Sequence, residues 1–162
     1  MTSLNFPQYE FRTKTEGGRM LIFDCVRKKY ISLTPEEWVR QHLINYLSTA
    51  KGYPLALLSV EKPVRYTRQT KRSDLLVSDC NGRQLMLAEC KAPKVSITNK
   101  VFEQIAIYNL KIHAPFLLIT NGIEHYCMSA ATESAPTIFL KEIPDYDNLK
   151  NFWSEVEKKC QF

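Results

Sequence analysis

Residues 72–93 read RSDLLVSDCNGRQLMLAECKAP. Two apolar runs, Asp74 to Ser78 and Gln84 to Cys90, flank the tetrapeptide Asp79-Cys80-Asn81-Gly82. Asn-Gly between two such runs is a strong β-hairpin signal, because both residues tolerate positive φ. Antiparallel pairing then brings Asp74, which begins the first strand, and Lys91, which follows the second, to the same end of the sheet. Glu89 and Lys91 are two apart, so their side chains share a face, while Cys90 points the other way into a core. Two carboxylates and an ammonium group thus occupy one small volume.

Phosphodiester hydrolysis uses such a set. Hard oxygen ligands hold Mg²⁺ with several waters left in place, and the ion polarises phosphate and acidifies bound water. A lysine can orient or deprotonate that water, or offset charge that builds on the phosphorane. Asp74 and Glu89 are the candidate metal ligands. The backbone carbonyl of Cys90, which passes between the two side chains, can add a third. The alternative is a cross-strand salt bridge on a solvated face, a common and weakly stabilising feature. Context favours chemistry: Glu89 and Lys91 close an apolar strand, and charge on a buried sheet is costly unless it is used.

Further along, the chain alternates strands and helices. Met20 to Asp24 and Tyr30 to Leu33 read as short strands around the basic turn Arg27-Lys28-Lys29, and residues 1–18 look irregular. Thr34, Pro35 and Glu37 form a helix start with a capping box. Val39, Leu43, Tyr46 and Leu47 continue the helix to about Thr49, before Gly52. Leu57 to Val60 is a strand. A second helix is predicted from Thr98 to about His113, with Val101, Ile105, Tyr108 and Ile112 on one stripe. Phe116 to Thr120 is a continuous apolar strand, His125 to Ser129 and Thr137 to Leu140 are weaker ones, and Tyr146 to Lys159 is a last amphipathic helix. The order predicts an α/β (α+β) fold over residues 1–162 as a single domain. Its centre is a mixed β-sheet, an antiparallel meander joined by a crossover helix to a buried strand, flanked by helices on both faces.

Composition narrows the function classes. The 44% hydrophobic and 24% charged content is that of a globular protein with a normal core. No apolar run approaches the ~20 residues of a membrane span, and Met1 to Glu10 lack the pattern of a secretory signal; the expected location is the cytoplasm, with no membrane contact. Cys25, Cys80, Cys90, Cys127 and Cys160 are odd in number and irregularly spaced, which argues against a disulfide framework and a structural zinc site. The net charge of +5 is compatible with a nucleic-acid partner.

These motifs resemble the PD-(D/E)xK nuclease superfamily, in particular the N-terminal nuclease domain of the restriction subunit of type I restriction–modification enzymes. In that family an Asp opens one strand and an E-x-K tripeptide closes the next; Asp74, Glu89 and Lys91 take those positions. Ser73 stands where a proline usually precedes the Asp. The helix TPEEWVRQHLINYL resembles the leading helix of these domains, which lends an acidic residue to the site and often carries an Arg one turn on. Glu36 and Arg40, four apart, fit that pattern. Glu37 is the rival acid, but the capping box gives it a structural use. Gln104 and Tyr108 resemble the QxxxY element; on one helix face, an amide and a phenol can hold a phosphate or the attacking water. PFLLITNG, residues 115–122, is similar to the strand that follows. The resemblance covers residues 30 to about 130. It implies a restriction-endonuclease-like core and a divalent-metal nuclease acting on DNA, with Mg²⁺ as cofactor and Mn²⁺ as substitute.

Remaining features are less directive. The run EKPVRYTRQTKR, residues 61–72, offers Arg68, Lys71 and Arg72 to phosphates, or is a solvated charged hairpin. Lys94 and Lys100 follow the E-x-K tripeptide closely in sequence, and Lys94 is the candidate DNA contact of the pair. His42, His113 and His125 lack metal spacing, Trp38 and Trp153 read as packing, and Asp79 and Glu103 as solvated. No Gly-rich phosphate loop is present, so no ATP-driven motor is expected within these residues; the expectation is a free-standing nuclease, one that works with helicase or other restriction–modification subunits encoded elsewhere, or a relic. Cutting both strands often takes two sites, which is compatible with a homodimer, although no residue in the sequence specifies one. The competing readings are a catalytically silent module that binds nucleic acid or a partner on the same fold, and a purely structural subunit.

Overall fold

The computed structural model describes residues 2–66, 69–130 and 136–159, without the side chains of 61–72 and 153–159. Among the described residues, strands and α-helices follow one another as β1 (Thr13–Glu16), β2 (Arg19–Asp24), β3 (Lys29–Ser32), α1 (Pro35–Ala50), β4 (Leu58–Tyr66), β5 (Gln69–Ser78), β6 (Gln84–Cys90), α2 (Asn99–Ile112), β7 (Phe116–Thr120), β8 (His125–Ser129), β9 (Ile138–Leu140) and α3 (Tyr146–Lys159). The central sheet has the order β4-β5-β6-β7-β8-β9. All neighbours are antiparallel except β6 and β7, which run parallel through the α2 crossover. Among the described residues no helix is long and apolar enough to cross a membrane.

Strand alternation sorts the core into two layers. Leu75, Val77, Met86, Ala88, Cys90 and Leu118 pack with Val39, Leu43, Ile44 and Leu47 of α1 and with Tyr146 and Leu149 of α3. The intervening residues Leu76, Leu87, Leu117 and Ile119 pack with Val101, Ile105 and Tyr108 of α2. The mixed sheet with helices on both faces is therefore the one the hydrophobic pattern predicts. The fully buried run Phe116–Thr120 has the character of a central strand covered on each side.

Helix α1 begins as its sequence dictates. Thr34 Oγ1 accepts from the Glu37 N–H at 3.1 Å, and Pro35 occupies the first turn. The reciprocal half of the capping box does not form. The Thr34 N–H donates instead to the Ser32 carbonyl, and the Glu37 side chain turns inward to arginines.

Four expectations need correction. An additional strand, β1, lies within residues 1–18 and completes a small antiparallel sheet of order β1-β2-β3. Strand β4 runs well past Val60 to Tyr66, and as the edge strand it tolerates Pro63. Strand β5 starts at Gln69, so Asp74 sits midway along it rather than at its start. Burial of Leu75–Val77 is a tertiary signal, whereas pairing with β4 extends β5 through residues whose own pattern is polar. In the β5–β6 turn only Gly82 has positive φ (81°), and Asp79 is buried rather than solvated. The Asp79 carboxylate accepts from the Asn81 and Arg83 N–H groups at 2.9 Å each and from Arg83 Nε at 2.6 Å, which fixes the turn.

The N-terminal segment, irregular up to β1, is nevertheless packed. The Asn5 N–H donates to the Gly122 carbonyl at 2.7 Å. Phe6, Tyr9, Phe11 and Trp38 surround His42, whose Nδ1 lies 2.9 Å from the Trp38 carbonyl. His42 and Trp38 thus have the packing roles their sequence context predicts.

Candidate active site

The end of the β5–β6 pair carries the charged cluster. The β5–β6 ladder reaches Leu75 opposite Ala88, which brings the preceding Asp74 and the following Glu89 to adjacent places. Asp74 Oδ2 accepts from the Cys90 N–H at 2.7 Å, and its Oδ1 accepts from Arg40 Nη2 at 2.7 Å. Glu89 Oε1 accepts from Lys91 Nζ at 2.6 Å and from Gln104 Nε2 at 2.5 Å. Cys90 is fully buried on the opposite face, as the two-residue spacing requires.

Helices supply the remaining members. From α1, Arg40 Nη2 also reaches Glu36 Oε1 at 3.3 Å, one turn back. Arg40 Nη1 donates to Glu37 Oε2. From α2, Gln104 lies between Glu89 and the hydroxyl of Tyr108, which is 3.5 Å from its Nε2. The Tyr108 ring is buried in the core under α2.

Crowding shapes the electrostatics. Burial, with Asp74 and then Glu36 beside it, pushes the Glu89 carboxyl up to about 7, and Lys91 opposes this only in part. Burial and Asp74 also raise the Glu36 carboxyl, against the pull of Arg40 and Lys91. Burial works against the charge of Lys91, but Glu89, Asp74 and Glu36 outweigh it and raise its pKa. Arg40, 95% buried at its side chain, is held charged by Asp74 and Glu37 in the same way. Of the two acids, Glu36 is the one felt by Glu89 and Lys91, while Glu37 is buried against Arg27, Arg40 and Gln41.

The donor set can be tested against a divalent ion. Among the described residues no three His, Cys, Asp or Glu side chains converge to cage a metal by themselves. Magnesium does not need such a cage: it is held through one or two carboxylates, with waters and substrate phosphate completing its shell. Asp74 and Glu89 are hard oxygen donors on adjacent strands. Burial and the neighbouring Asp74 charge raise the Glu89 carboxyl, and a divalent cation would relieve the repulsion between the two carboxylates. The residues therefore fit the ion.

Glu36, Arg40, Asp74, Glu89, Lys91 and Gln104 converge, and Tyr108 joins them through Gln104. Lys94 stands apart: it is exposed on the loop between β6 and α2 and has no hydrogen-bond or ion-pair partner among the described residues. Lys71 and Arg72 lie in β5, paired with Val64 and Pro63 of β4, with their side chains outside the described set. Arg68 lies outside the described residues altogether. Sequence reasoning missed the ion pair between Arg40 and Asp74 and the inward turn of Glu37. The Glu37–Arg40 spacing, one helical turn, was the available signal for the second.

Residues 35–144 match the family model of the type I restriction enzyme R protein N terminus (HSDR_N). The chain belongs to that family. The match to this R-protein N terminus spans α1 through the loop before α3, and so contains every converging residue of the site. A similar fold is found in a fragment structure of a candidate HsdR subunit of a type I restriction enzyme from Vibrio vulnificus YJ016, with a TM-score of 0.55 and 16% sequence identity. The alignment covers 74% of this chain and 25% of that one, so the chain spans about a quarter of that structure's length. No curated protein matches the chain by sequence.

Proposed function

We propose that this R-protein N-terminal domain is a Mg²⁺-dependent deoxyribonuclease that hydrolyses phosphodiester bonds, as an endonuclease. The observation that carries the reading is the meeting of Asp74 and Glu89 at the end of the β5–β6 pair, with Lys91 Nζ 2.6 Å and Gln104 Nε2 2.5 Å from Glu89 Oε1 and Arg40 Nη2 2.7 Å from Asp74 Oδ1, and with Glu89 pushed up to about 7 by burial and the Asp74 charge. A strongly shifted carboxyl beside specific charge partners is characteristic of a reaction site.

Asp74, Glu89 and the Cys90 carbonyl would hold the ion, with Mn²⁺ able to replace it. When bound, the ion would polarise the scissile phosphate and acidify a water. Lys91, whose pKa is raised by its carboxylate neighbours, serves as an ammonium: it orients the water and offsets charge on the phosphorane rather than taking a proton. Gln104 fixes the Glu89 carboxylate, and Tyr108 backs Gln104. Glu36, whose carboxyl is raised by burial and the Asp74 charge, is a further group that can exchange a proton with water. Arg40 locks Asp74 against rotation. Lys94, Arg68, Lys71 and Arg72 are the candidate phosphate contacts outside the reacting cluster, and Arg40 can add one if it leaves Asp74. The substrate is DNA, acted on in the cytoplasm as defence against foreign DNA, with restriction–modification or helicase subunits, or a second copy of the chain, as partners.

A second reading has one observation in its favour. Both oxygens of Asp74 already accept hydrogen bonds, as they would in a module that binds nucleic acid without cutting it. Cleavage of plasmid and linear DNA with Mg²⁺ or Mn²⁺, wild type against Lys91→Ala, separates the two. Metal-dependent cutting that vanishes in the variant supports the nuclease. DNA binding without cutting by the wild type supports the silent module, and cutting that survives in Lys91→Ala removes the chemistry from this site.

A further inference from the structure

Arg27 lies in the turn between β2 and β3, before the first residue matched to the R-protein family. Its guanidinium does not point to solvent with the neighbouring Lys28 and Lys29. Nε donates to Asp24 Oδ2 at 2.6 Å, and Nη2 donates to Glu37 Oε1 at 3.0 Å. Asp24 is fully buried and also accepts from the Val26 and Arg27 N–H groups at 2.8 Å each, so it anchors both the turn and the side chain. Glu37 Oε2 accepts from Arg40 Nη1, and Arg40 Nη2 donates to Asp74 Oδ1 at 2.7 Å. Charges alternate along Asp24, Arg27, Glu37, Arg40 and Asp74, and every side chain in the series is at most 14% exposed.

We infer that Arg27 is a positioning residue for the candidate site, acting on Asp74 through Glu37 and Arg40. Buried ion pairs are a poor source of net stability, because desolvation consumes most of the Coulombic gain. What such a series supplies is direction. Among the described side chains, the carboxylates of Glu36, Glu37 and Asp74 lie within reach of Arg40. How it divides among them depends on how much of the Glu37 charge another cation already satisfies. Arg27 is that cation. Without it the buried Glu37 carboxylate keeps only Arg40 and the Gln41 amide among the described partners, draws Arg40 more strongly to itself, and loosens the guanidinium that fixes Asp74. The small β1-β2-β3 sheet thereby becomes part of the site's support. Outer partners that orient metal-ligating carboxylates commonly carry such an effect.

The consequence for cleavage rests on the nuclease reading, whereas the coupling itself does not. The first experiment is therefore a double-mutant cycle in metal-free protein, with Arg27→Met, Asp74→Asn and the pair unfolded in urea. Among the described residues the hydrogen bonds of Asp74 go to Arg40 and the Cys90 N–H, with none to Arg27. Independent sites add, while members of one network do not. The double variant is expected to miss additivity by about fivefold or more in the unfolding equilibrium constant, in the direction of a smaller combined loss. Additive losses overturn the proposal. If Arg27→Met does not fold, Asp24→Asn replaces it in the same cycle, because it frees Arg27 without deleting the charge. In the second arm, single-turnover DNA cleavage by Arg27→Met falls about 10- to 100-fold with DNA affinity unchanged, and Arg27→Lys recovers part of the loss. A loss confined to DNA affinity, or unchanged cleavage, overturns the proposal. Coupling in urea with no cleavage by the wild type would keep the relay and refute the nuclease.

Discussion

Gln104 Nε2 and Glu89 Oε1 lie 2.5 Å apart, so a helix amide from α2 shares one carboxylate oxygen with Lys91 Nζ. This bond ties α2 to β6 at the candidate-site end of the sheet and restricts rotation of the Glu89 carboxylate. Replacing Gln104 with Ala removes a donor to a largely buried acid and leaves the charge less well satisfied. Single-turnover cleavage is expected to slow by about 10- to 100-fold, as for other groups that orient metal ligands, with little change in DNA affinity. Tyr108→Phe, which removes the hydroxyl behind Gln104 but keeps the ring in the core, should give a smaller loss of the same kind.

The Glu89 carboxyl makes stability pH-dependent in the absence of metal. Its pKa rises from 4.5 to about 7 on folding, because of burial and the neighbouring Asp74. For an acid raised on folding, the native state binds the proton more tightly than the unfolded chain. The stabilising contribution is fully present below about pH 4.5 and disappears as pH rises through about 7. Urea unfolding in EDTA should therefore show this contribution lost across that window, by up to about 3 kcal/mol at 1.36 kcal/mol per unit. Glu89→Gln should flatten the window, and an unchanged profile in that variant would exclude Glu89 as the group responsible.

Divalent ions should stabilise the fold through the same carboxylates. At pH 7.5, Mg²⁺ at about 100 times its Kd contributes about 2.7 kcal/mol, which for a chain of this size is a rise in Tm of about 5 °C or more. Differential scanning fluorimetry with Mg²⁺, Mn²⁺ and EDTA checks this. The rise should be absent in Asp74→Asn and Glu89→Gln. An equal rise in those variants would locate the ion elsewhere.

Asp79 should matter for stability and not for catalysis. Its carboxylate holds the β5–β6 turn through two N–H groups and Arg83 Nε. Asp79→Ala leaves two turn N–H groups without their acceptor, at a cost of about 2–3 kcal/mol. Arg83 is partly exposed and adds little to that sum. Chemical unfolding should show the loss, whereas cleavage per folded molecule stays near wild type at a temperature where the variant is folded.

Gly122 is a second structural prediction. It has φ of 84°, and a Cβ there would lie 2.8 Å from Leu4 Cδ2 and 3.2 Å from Val39 Cγ2. Leu4 can move, but Val39 is fully buried, and the left-handed backbone alone costs an alanine about 1–2 kcal/mol. Gly122→Ala should lower Tm and, because Gly122 accepts from the Asn5 N–H, weaken hydrogen-exchange protection at Asn5 before that of β7.

Much of this protein was legible in its sequence because the signals are local. The Thr34-Pro35 start of α1, the stripe of α2 over Val101, Ile105 and Tyr108, and the buried run Phe116–Thr120 follow from caps and periodicity, which act over a few residues. The common direction of Glu89 and Lys91 follows from the two-residue period of a strand, and the Lys91 Nζ–Glu89 Oε1 contact bears it out. Pairing of separate elements lay beyond such signals. Strand β1 and the early start of β5 depend on hydrogen bonds to partners, not on their own polar sequences. Glu37 illustrates the limit most clearly. Its place three residues after Thr34 predicted a local capping bond, yet its carboxylate takes Arg27, Arg40 and Gln41 instead. A buried carboxylate goes to the cations that the tertiary fold delivers. Sequence alone therefore determined which residues carry charge to the end of β6, and the tertiary structure decided which charges meet there, because ion pairing depends on distances that only packing sets.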